Sequence, residues 1–169
     1  LYKKELIRTL WVCEKCGSHF RITSDMYFRI ILDEKTFTEM DPNLESTDPL
    51  EFKDSMTYKE RLSKYQKQTG MRDCLRTGTG KISGLEIVIG VMDFRFLGGS
   101  MGSVVGEKLS RAIKKAIELK LPLLIVSASG GARMQEGAIS LMQMAKVSAM
   151  LAVYSKTRLP YISLMTHPT

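Results

Sequence analysis

The sequence predicts an α/β fold, with alternating strands and helices, from about Thr77 onward. Two apolar runs predict buried strands: Leu85–Phe94 and 121–126. A glycine-rich turn follows each run, 98–106 ("GGSMGSVVG") and 127–137 ("SASGGARMQEG"). Each turn opens a stretch with helical periodicity. This alternation with short links predicts a parallel sheet covered by helices.

The periodicity also predicts which helix faces are buried. The first helix is expected to run to about Leu119 and to bury Val105, Leu109, Ala112, Ala116 and Leu119. The second is expected to bury Ala138, Leu141, Met142, Ala145 and Ala149. A third strand, Tyr161–Thr166, follows Pro160, and an earlier helix, Thr57–Thr69, is expected to end at Gly70.

Three zones are predicted along the 169 residues. Residues 1–24 contain a Cys-x-x-Cys pair, residues 25–75 form a polar linker with helical segments, and residues 76–169 form the α/β domain. Because the chain begins without Met and stops at Thr169, it is expected to be a fragment.

Composition and charge narrow the class of protein. The net charge of +7 suits an anionic partner, namely nucleic acid, cofactor phosphates or an acidic protein, or else reflects a solvated surface rich in lysine. No apolar run approaches the roughly 20 residues of a membrane span, so no transmembrane segment is expected. Three cysteines do not make a secreted disulfide framework.

Cys13 and Cys16, followed by Gly17, have the spacing of half a zinc knuckle. Structural zinc needs four ligands, and the sequence contains no second pair, since Cys74 is single and His19 is too close to Cys16. The pair is therefore either a partial zinc site or two free thiols in a turn. A redox pair is less favoured, because no thioredoxin-like strand precedes it.

The first glycine turn has two possible explanations. Backbone N–H groups at a helix N-terminus can hold a phosphate or another anion. Alternatively, the glycines allow a helix and a strand to pack closely. The turn matches neither a Walker loop nor the dinucleotide-binding pattern.

The second glycine turn lies at the carboxyl end of a predicted strand, where ligands bind in open α/β sheets. Gly130 and Gly131 can expose backbone N–H groups to a developing oxyanion. Ser129 is not expected to be a nucleophile, because the Gly-x-Ser-x-Gly spacing is absent and the only histidines are His19 and His167.

Two charged residues follow these glycines. Arg133 is expected either to anchor the loop or to meet an anion. Glu136 is expected to pair with Arg133 or to cap the helix. The alternative for both is a surface ion pair.

Several motifs, in order and spacing, resemble the β subunit of the carboxyltransferase of multi-subunit acetyl-CoA carboxylase, most closely the chloroplast-encoded form. They are "CEKCG", "YKERLSKYQKQTG", "TGTGKISG", "FLGGSMGSVVGEK", "SASGGARMQEG", "SLMQMAK" and "LPYISLMT", the last followed by "PT". The resemblance covers essentially the whole chain.

The resemblance implies a crotonase-like (ClpP/crotonase) fold, truncated here and preceded by a partial four-cysteine zinc ribbon. It implies transfer of a carboxyl group from carboxybiotin, on a carrier protein, to acetyl-CoA, which gives malonyl-CoA for fatty acid biosynthesis. The implied partners are the carboxyltransferase α subunit, in an α2β2 assembly, the biotin carboxyl carrier protein and biotin carboxylase. The implied location is the chloroplast stroma, with the bacterial cytoplasm as the alternative.

The resemblance also implies roles for particular residues. Backbone N–H groups of Gly130, Gly131 and Ala132 would hold the thioester enolate. The substrate surface would comprise Gly98, Gly99, Ser100, Met101, Gly102 and Arg133. Cys13 and Cys16 would be metal ligands, with zinc needing two further cysteines that this chain lacks.

The chain departs from the family pattern at two further points. His167 stands where the family usually has Asp or Ser, and the chain stops before the family's Thr-Gly-Gly-Val segment, so it is expected to be inactive by itself. Two other functions stay open: a basic zinc-ribbon module that binds nucleic acid, although nucleic acid is not the favoured partner, and a carboxyltransferase for another acyl-CoA.

Overall fold

The structure is a computed structural model and describes residues 2–167 and 169. The helices are α1 (Lys3–Arg8), α2 (Ser24–Ile31), α3 (Tyr58–Thr69), α4 (Ser103–Leu119) and α5 (Gly137–Ser155). The strands are β1 (Thr38–Met40), β2 (Leu75–Ile82), β3 (Leu85–Met92), β4 (Leu123–Ser127) and β5 (Tyr161–Met165). Short 3₁₀ turns occupy Leu97–Gly99 and Met134–Glu136. Pro168, part of the last quoted motif, lies outside the described residues.

The five strands form one mixed sheet in the order β1-β2-β3-β4-β5. Strands β3, β4 and β5 are parallel, as predicted, with Val91 opposite Val126 and Val126 opposite Leu164. Strands β1 and β2, which the sequence did not predict, add antiparallel pairs at one edge. Strand β2 contains Gly78, and a Cβ at that position would lie 2.3 Å from the carbonyl oxygen of Thr38 in β1.

Helix α3 forms where the sequence predicted it. Thr57 accepts a hydrogen bond from the backbone N–H of Glu60, and the Glu60 carboxylate accepts one from the backbone N–H of Thr57. These reciprocal bonds satisfy two donors at the start of the helix. Gly70 ends it in the left-handed conformation, with φ +72°.

Helices cover both faces of the sheet. On one face, Phe28 and Leu32 of the α2 region pack against Ile87, Ile89 and Val91 of β3. The other face has a core of alanine and branched side chains from α4, β3 and β4: Ala112, Ile113, Ala116, Val88, Leu123 and Ile125. Because α2, β1 and α3 all belong to this packing, residues 25–75 have the predicted helical segments but do not form a separate linker.

Helix α5 buries a different face from the one predicted. The residues predicted as buried, Ala138, Leu141, Met142, Ala145 and Ala149, are all exposed. The helix packs instead through Val147, Met150, Leu151 and Tyr154. Because α5 is apolar on most sides, periodicity does not define its buried face. In α4, Val105, Ala112 and Ala116 are buried as predicted, but Leu119 is exposed.

One helical stretch in the described residues, Met134–Ser155, is long and apolar enough by length and composition to cross a membrane. No transmembrane segment was predicted from the sequence. In this structure one side of the helix packs on α4, where a Cβ on Gly106 would lie 2.1 Å from the side-chain oxygen of Gln143.

Candidate functional site

Two glycine loops lie side by side at the carboxyl ends of β3 and β4. We call residues 98–102 the first glycine loop and residues 129–133 the second glycine loop. The Met101 N–H donates to the carbonyl of Gly131 (2.8 Å), and the Arg133 N–H donates to the carbonyl of Met101 (2.9 Å). The Ser129 hydroxyl donates to the carbonyl of Gly99 (2.8 Å). The structure therefore brings the two predicted turns together into one backbone surface.

The glycines of the two loops serve different purposes. Gly99 has φ +65°, and a Cβ on it would lie 2.1 Å from the backbone oxygen of Ala128. Gly131 has φ +114°, but a Cβ there would meet no atom within 4 Å. Close packing therefore requires glycine at position 99, whereas backbone conformation alone favours it at position 131.

The structure narrows the predicted set of oxyanion donors. The Gly130 N–H donates to the carbonyl of Gly98 (2.9 Å), and the Gly131 N–H donates to the hydroxyl of Ser129 (3.0 Å). Ala132 is exposed, and within residues 2–167 and 169 its N–H has no hydrogen-bond acceptor. Of the three predicted donors, only Ala132 has an N–H without an acceptor among the described residues, and it belongs to an exposed residue.

The N-terminus of α4 is already filled by an anion from the protein itself. The Glu136 carboxylate accepts a hydrogen bond from the Ser103 N–H (2.6 Å). A Cβ on Gly102 would lie 2.5 Å from a carboxylate oxygen of Glu136. The helix terminus therefore does not offer the open phosphate cradle considered from the sequence, and the packing explanation holds for Gly102.

The five residues predicted as a substrate surface in the first glycine loop divide by exposure. Gly99 and Gly102 are buried. Gly98, Ser100 and Met101 are half-buried. Only these last three can contribute atoms to a ligand surface beside Ala132, and their role in substrate binding stays a prediction.

Arg133 lies inside the protein, with 0% of its side chain exposed. Its guanidinium donates two parallel hydrogen bonds to the Asp73 carboxylate, at 2.7 and 2.9 Å. Burial by itself would lower the pKa of Arg133, but the hydrogen bonds and charge of Asp73 outweigh that effect and raise it. The structure thus corrects the surface-pair and substrate-contact expectations: Arg133 anchors the loop from within.

Sequence reasoning identified one partner of Arg133, Glu136, which lies 3.5 Å away, but not the others. Asp73, Tyr58 and Ser46 all come from the segment that was predicted as a linker. The pairing of Asp73 with Arg133 spans 60 residues, so no local pattern could reveal it.

The turn around Cys13 and Cys16 has the form expected of a zinc knuckle. The Gly17 N–H donates to the carbonyl of Cys13 (2.7 Å), and Gly17 has φ +68°. Backbone N–H groups of Cys16 and Lys15 directed at the Cys13 sulfur lower the pKa of its thiol.

The described part of the chain does not complete a metal site. It contains no group of three or more His, Cys, Asp or Glu side chains placed to hold a metal. Cys74 is fully buried near Arg133, and His19 is exposed. Two thiols are half of a tetrahedral zinc site, so the residues present do not support the predicted zinc centre.

His167 and His19 line the same open cavity, of about 520 Å³, beyond the carboxyl end of β5. The other lining residues are mostly apolar and include Phe20, Ile31 and Leu164. The cavity lies at the edge of the sheet from which the second glycine loop also emerges. Nothing in these contacts explains the histidine at position 167.

Residues 34–169 match the carboxyl transferase domain family. This chain belongs to that family. The family match begins within the segment predicted as a linker, which agrees with the place of β1 and α3 in the fold.

Curated relatives of this carboxyl transferase domain are described as acetyl-coenzyme A carboxylase carboxyl transferase subunit beta. The protein from Acaryochloris marina is 54% identical over 168 residues, which are 99% of this chain and 55% of the relative. The chloroplastic protein from Pyropia yezoensis is 51% identical over 169 residues, which are 100% of this chain and 59% of the relative. The chain thus spans little more than half the length of these relatives.

Two solved structures, a transcarboxylase and a malonate decarboxylase, share the fold. A transcarboxylase 12S chain, solved with methylmalonyl-coenzyme A and methylmalonic acid, matches 86% of this chain and 26% of its own length, with a TM-score of 0.68 and 24% identity. A Pseudomonas malonate decarboxylase hetero-tetramer chain matches 94% of this chain and 54% of its own, with a TM-score of 0.64 and 21% identity. The predicted crotonase-like α/β fold is confirmed.

Proposed function

We propose that this chain forms the carboxyltransferase β-subunit part of an acetyl-CoA carboxylase, which transfers a carboxyl group from carboxybiotin to acetyl-CoA and produces malonyl-CoA. The observation that carries the proposal is the identity of 51–55% to relatives of that name across nearly the whole chain. The paired glycine loops, which end at an exposed N–H, add chemical support.

The arrangement fits chemistry at a thioester. When the acetyl group loses a proton, negative charge develops on the thioester oxygen. The Ala132 N–H is placed to donate to that oxygen, because the neighbouring donors of Gly130 and Gly131 are already satisfied within the protein. The acetyl carbon then forms a bond to the transferred carboxyl carbon as the bond from that carbon to the biotin nitrogen breaks, and the nitrogen takes the proton.

The partners belong to the same proposal. An α subunit, a biotin carboxyl carrier protein and biotin carboxylase would complete the enzyme. The exposed apolar side chains on α5 and β5, which include Leu141, Met142, Ile162 and Met165, are suited to burial against further protein. A location in the chloroplast stroma or the bacterial cytoplasm is part of the proposal, and the chloroplastic and bacterial relatives support it.

The reverse reaction tests the proposal directly. Malonyl-CoA and a free biotin derivative are incubated with the complete β subunit and its α partner, and acetyl-CoA formation is followed. The proposal predicts acetyl-CoA only when both subunits are present, so each subunit alone is the control. Equal turnover of methylmalonyl-CoA would redirect the proposal to another acyl-CoA, and no turnover of either thioester by the intact complex would contradict it.

A further inference from the structure

Behind the two glycine loops lies a cluster of polar side chains removed from water. We call Arg133, Asp73, Glu136, Tyr58 and Ser46 the buried ion cluster. All five are between 0% and 8% exposed. They come from four separate parts of the chain, so the cluster joins the second glycine loop to the segment between β1 and α3 and to the starts of α3 and β2.

Arg133 connects this cluster to the first glycine loop. Its guanidinium donates to the backbone oxygen of Ser100, at 2.7 Å from Nη2 and 3.2 Å from Nε. The same guanidinium is held by both oxygens of Asp73. A planar fork with five donors can bind two acceptors in fixed directions, which a lysine could not reproduce. Arg133 therefore sets the distance between the two loops.

Glu136 connects the cluster to the helix that follows the first loop. One carboxylate oxygen accepts from the Ser103 N–H (2.6 Å), and the other accepts from the Tyr58 hydroxyl (2.7 Å) and the Ser46 hydroxyl (2.9 Å). The Tyr58 oxygen in turn accepts from Arg133 (3.1 Å). Tyr58 thus links Arg133, the last residue of the second loop, to Glu136, three residues further on.

The charges of the cluster depend on one another. The Asp73 carboxylate is offset by Arg133, and the Glu136 carboxylate faces the positive N-terminus of α4. Arg133 also lies 3.5 Å from Glu136. Because the site is buried, a charge separated from its partner would be strongly destabilised. The side chains of the cluster therefore have little freedom to move apart.

The exposed N–H of Ala132 lies between anchored neighbours. On one side the Gly131 carbonyl is held by the Met101 N–H, and on the other the Arg133 N–H is held by the Met101 carbonyl. The Arg133 side chain extends from there into the cluster. We propose that the buried ion cluster positions the Ala132 N–H as an oxyanion donor, with Arg133, Asp73, Glu136 and Tyr58 acting as positioning residues. This inference rests on the proposed function.

Tyr58→Phe is the variant that tests this role, because it removes one hydroxyl and keeps every charge. Its matched control is Tyr154→Phe. Tyr154 is also buried, but its hydroxyl lies near the carbonyls of Leu121 (3.0 Å) and Pro160 (2.9 Å), at the other end of β4 and β5. Both variants are made in the complete subunit with its partner.

The kinetic readout separates positioning from general stability. A misplaced oxyanion donor weakens transition-state binding more than substrate binding. We expect Tyr58→Phe to lower kcat for the reverse reaction about tenfold with KM for malonyl-CoA within about twofold, and Tyr154→Phe to leave both within about twofold. Thermal unfolding and the fraction of complex that binds malonyl-CoA are measured for both. Equal kcat losses in the two variants would overturn the inference.

A second measurement, which does not depend on activity, distinguishes the positioning role from the proposed function. Amide hydrogen exchange of the peptide that covers the second glycine loop is compared in wild type, Tyr58→Phe and Tyr154→Phe. We expect faster exchange in that peptide for Tyr58→Phe only. Unchanged exchange there would overturn the positioning role whatever the activity, whereas wild type that exchanges as expected but transfers no carboxyl group would overturn the proposed function alone.

Discussion

Single residues in the two glycine loops have separable roles. Gly99 lies so close to the backbone of Ala128 that no side chain fits, and Gly131 has open space but a φ of +114°. The sequence showed that glycines follow both strands, which was enough to predict a candidate site there. It could not show which N–H groups are free, because that depends on acceptors such as Ser129 and Gly98, whose positions are set by the folded loops.

This difference predicts opposite results for two alanine substitutions. Gly99→Ala should prevent stable folding of the complete subunit, because the new Cβ would meet the Ala128 oxygen at 2.1 Å. Gly131→Ala should fold and assemble, but transfer should fall by roughly tenfold to a hundredfold, because strain of about 1–3 kcal/mol shifts the loop away from its donor geometry. Thermal unfolding and reverse transfer measure the two effects. A Gly131→Ala subunit with wild-type transfer would contradict the assigned loop conformation.

At the scale of elements, the sequence predicted those whose local pattern and packing agree. Strands β3 and β4 are continuous apolar runs, and α3 carries its own start and stop residues in Thr57 and Gly70. Strand β2 was not predicted; its Gly78 and Gly80 lie where an added Cβ would come within 2.3 and 2.8 Å of neighbouring atoms. For α5, an apolar surface on several sides left the buried face undefined.

The reciprocal hydrogen bonds between Thr57 and Glu60 at the start of α3 allow a stability prediction for a single element. Thr57→Ala should lower the free energy of unfolding by about 1 kcal/mol. It removes the hydroxyl that accepts a hydrogen bond from the Glu60 N–H and donates one to the Glu60 carboxylate. The exposed neighbour Lys59 offers a control, since Lys59→Ala should change stability by less than about 0.5 kcal/mol. Urea unfolding of the complete subunit measures both. Equal effects of the two substitutions would mean that the cap contributes nothing.

At the scale of the whole molecule, the side of the fold formed by α5 and β5 is more exposed than the rest. Most strand residues of β3 and β4 are buried, but all five residues of β5 are exposed, and so is much of α5. The chain spans little more than half of its curated relatives, so in a complete enzyme further protein is expected beside these surfaces. The exposed methionine and leucine side chains of α5 are suited to burial against further protein.

Methionine oxidation can test this expectation. Met142, Met144 and Met165 are 64%, 51% and 73% exposed, whereas Met92 is 4% exposed. In the assembled enzyme, we expect all four to react with hydrogen peroxide at similarly slow rates, because burial shields the thioether. An unfolded peptide that contains residues 137–155 of α5 supplies the fast reference rate. Oxidation of the three residues at the peptide rate in the intact assembly would show that this surface stays free.

The most direct test of the central claim is an experimental structure of the complete β subunit, with its α partner and an unreactive analogue of acetyl-CoA bound. We expect the thioester oxygen to lie about 3 Å from the Ala132 nitrogen, with the buried ion cluster intact behind it. A thioester bound beyond hydrogen-bond reach of both glycine loops would contradict the account.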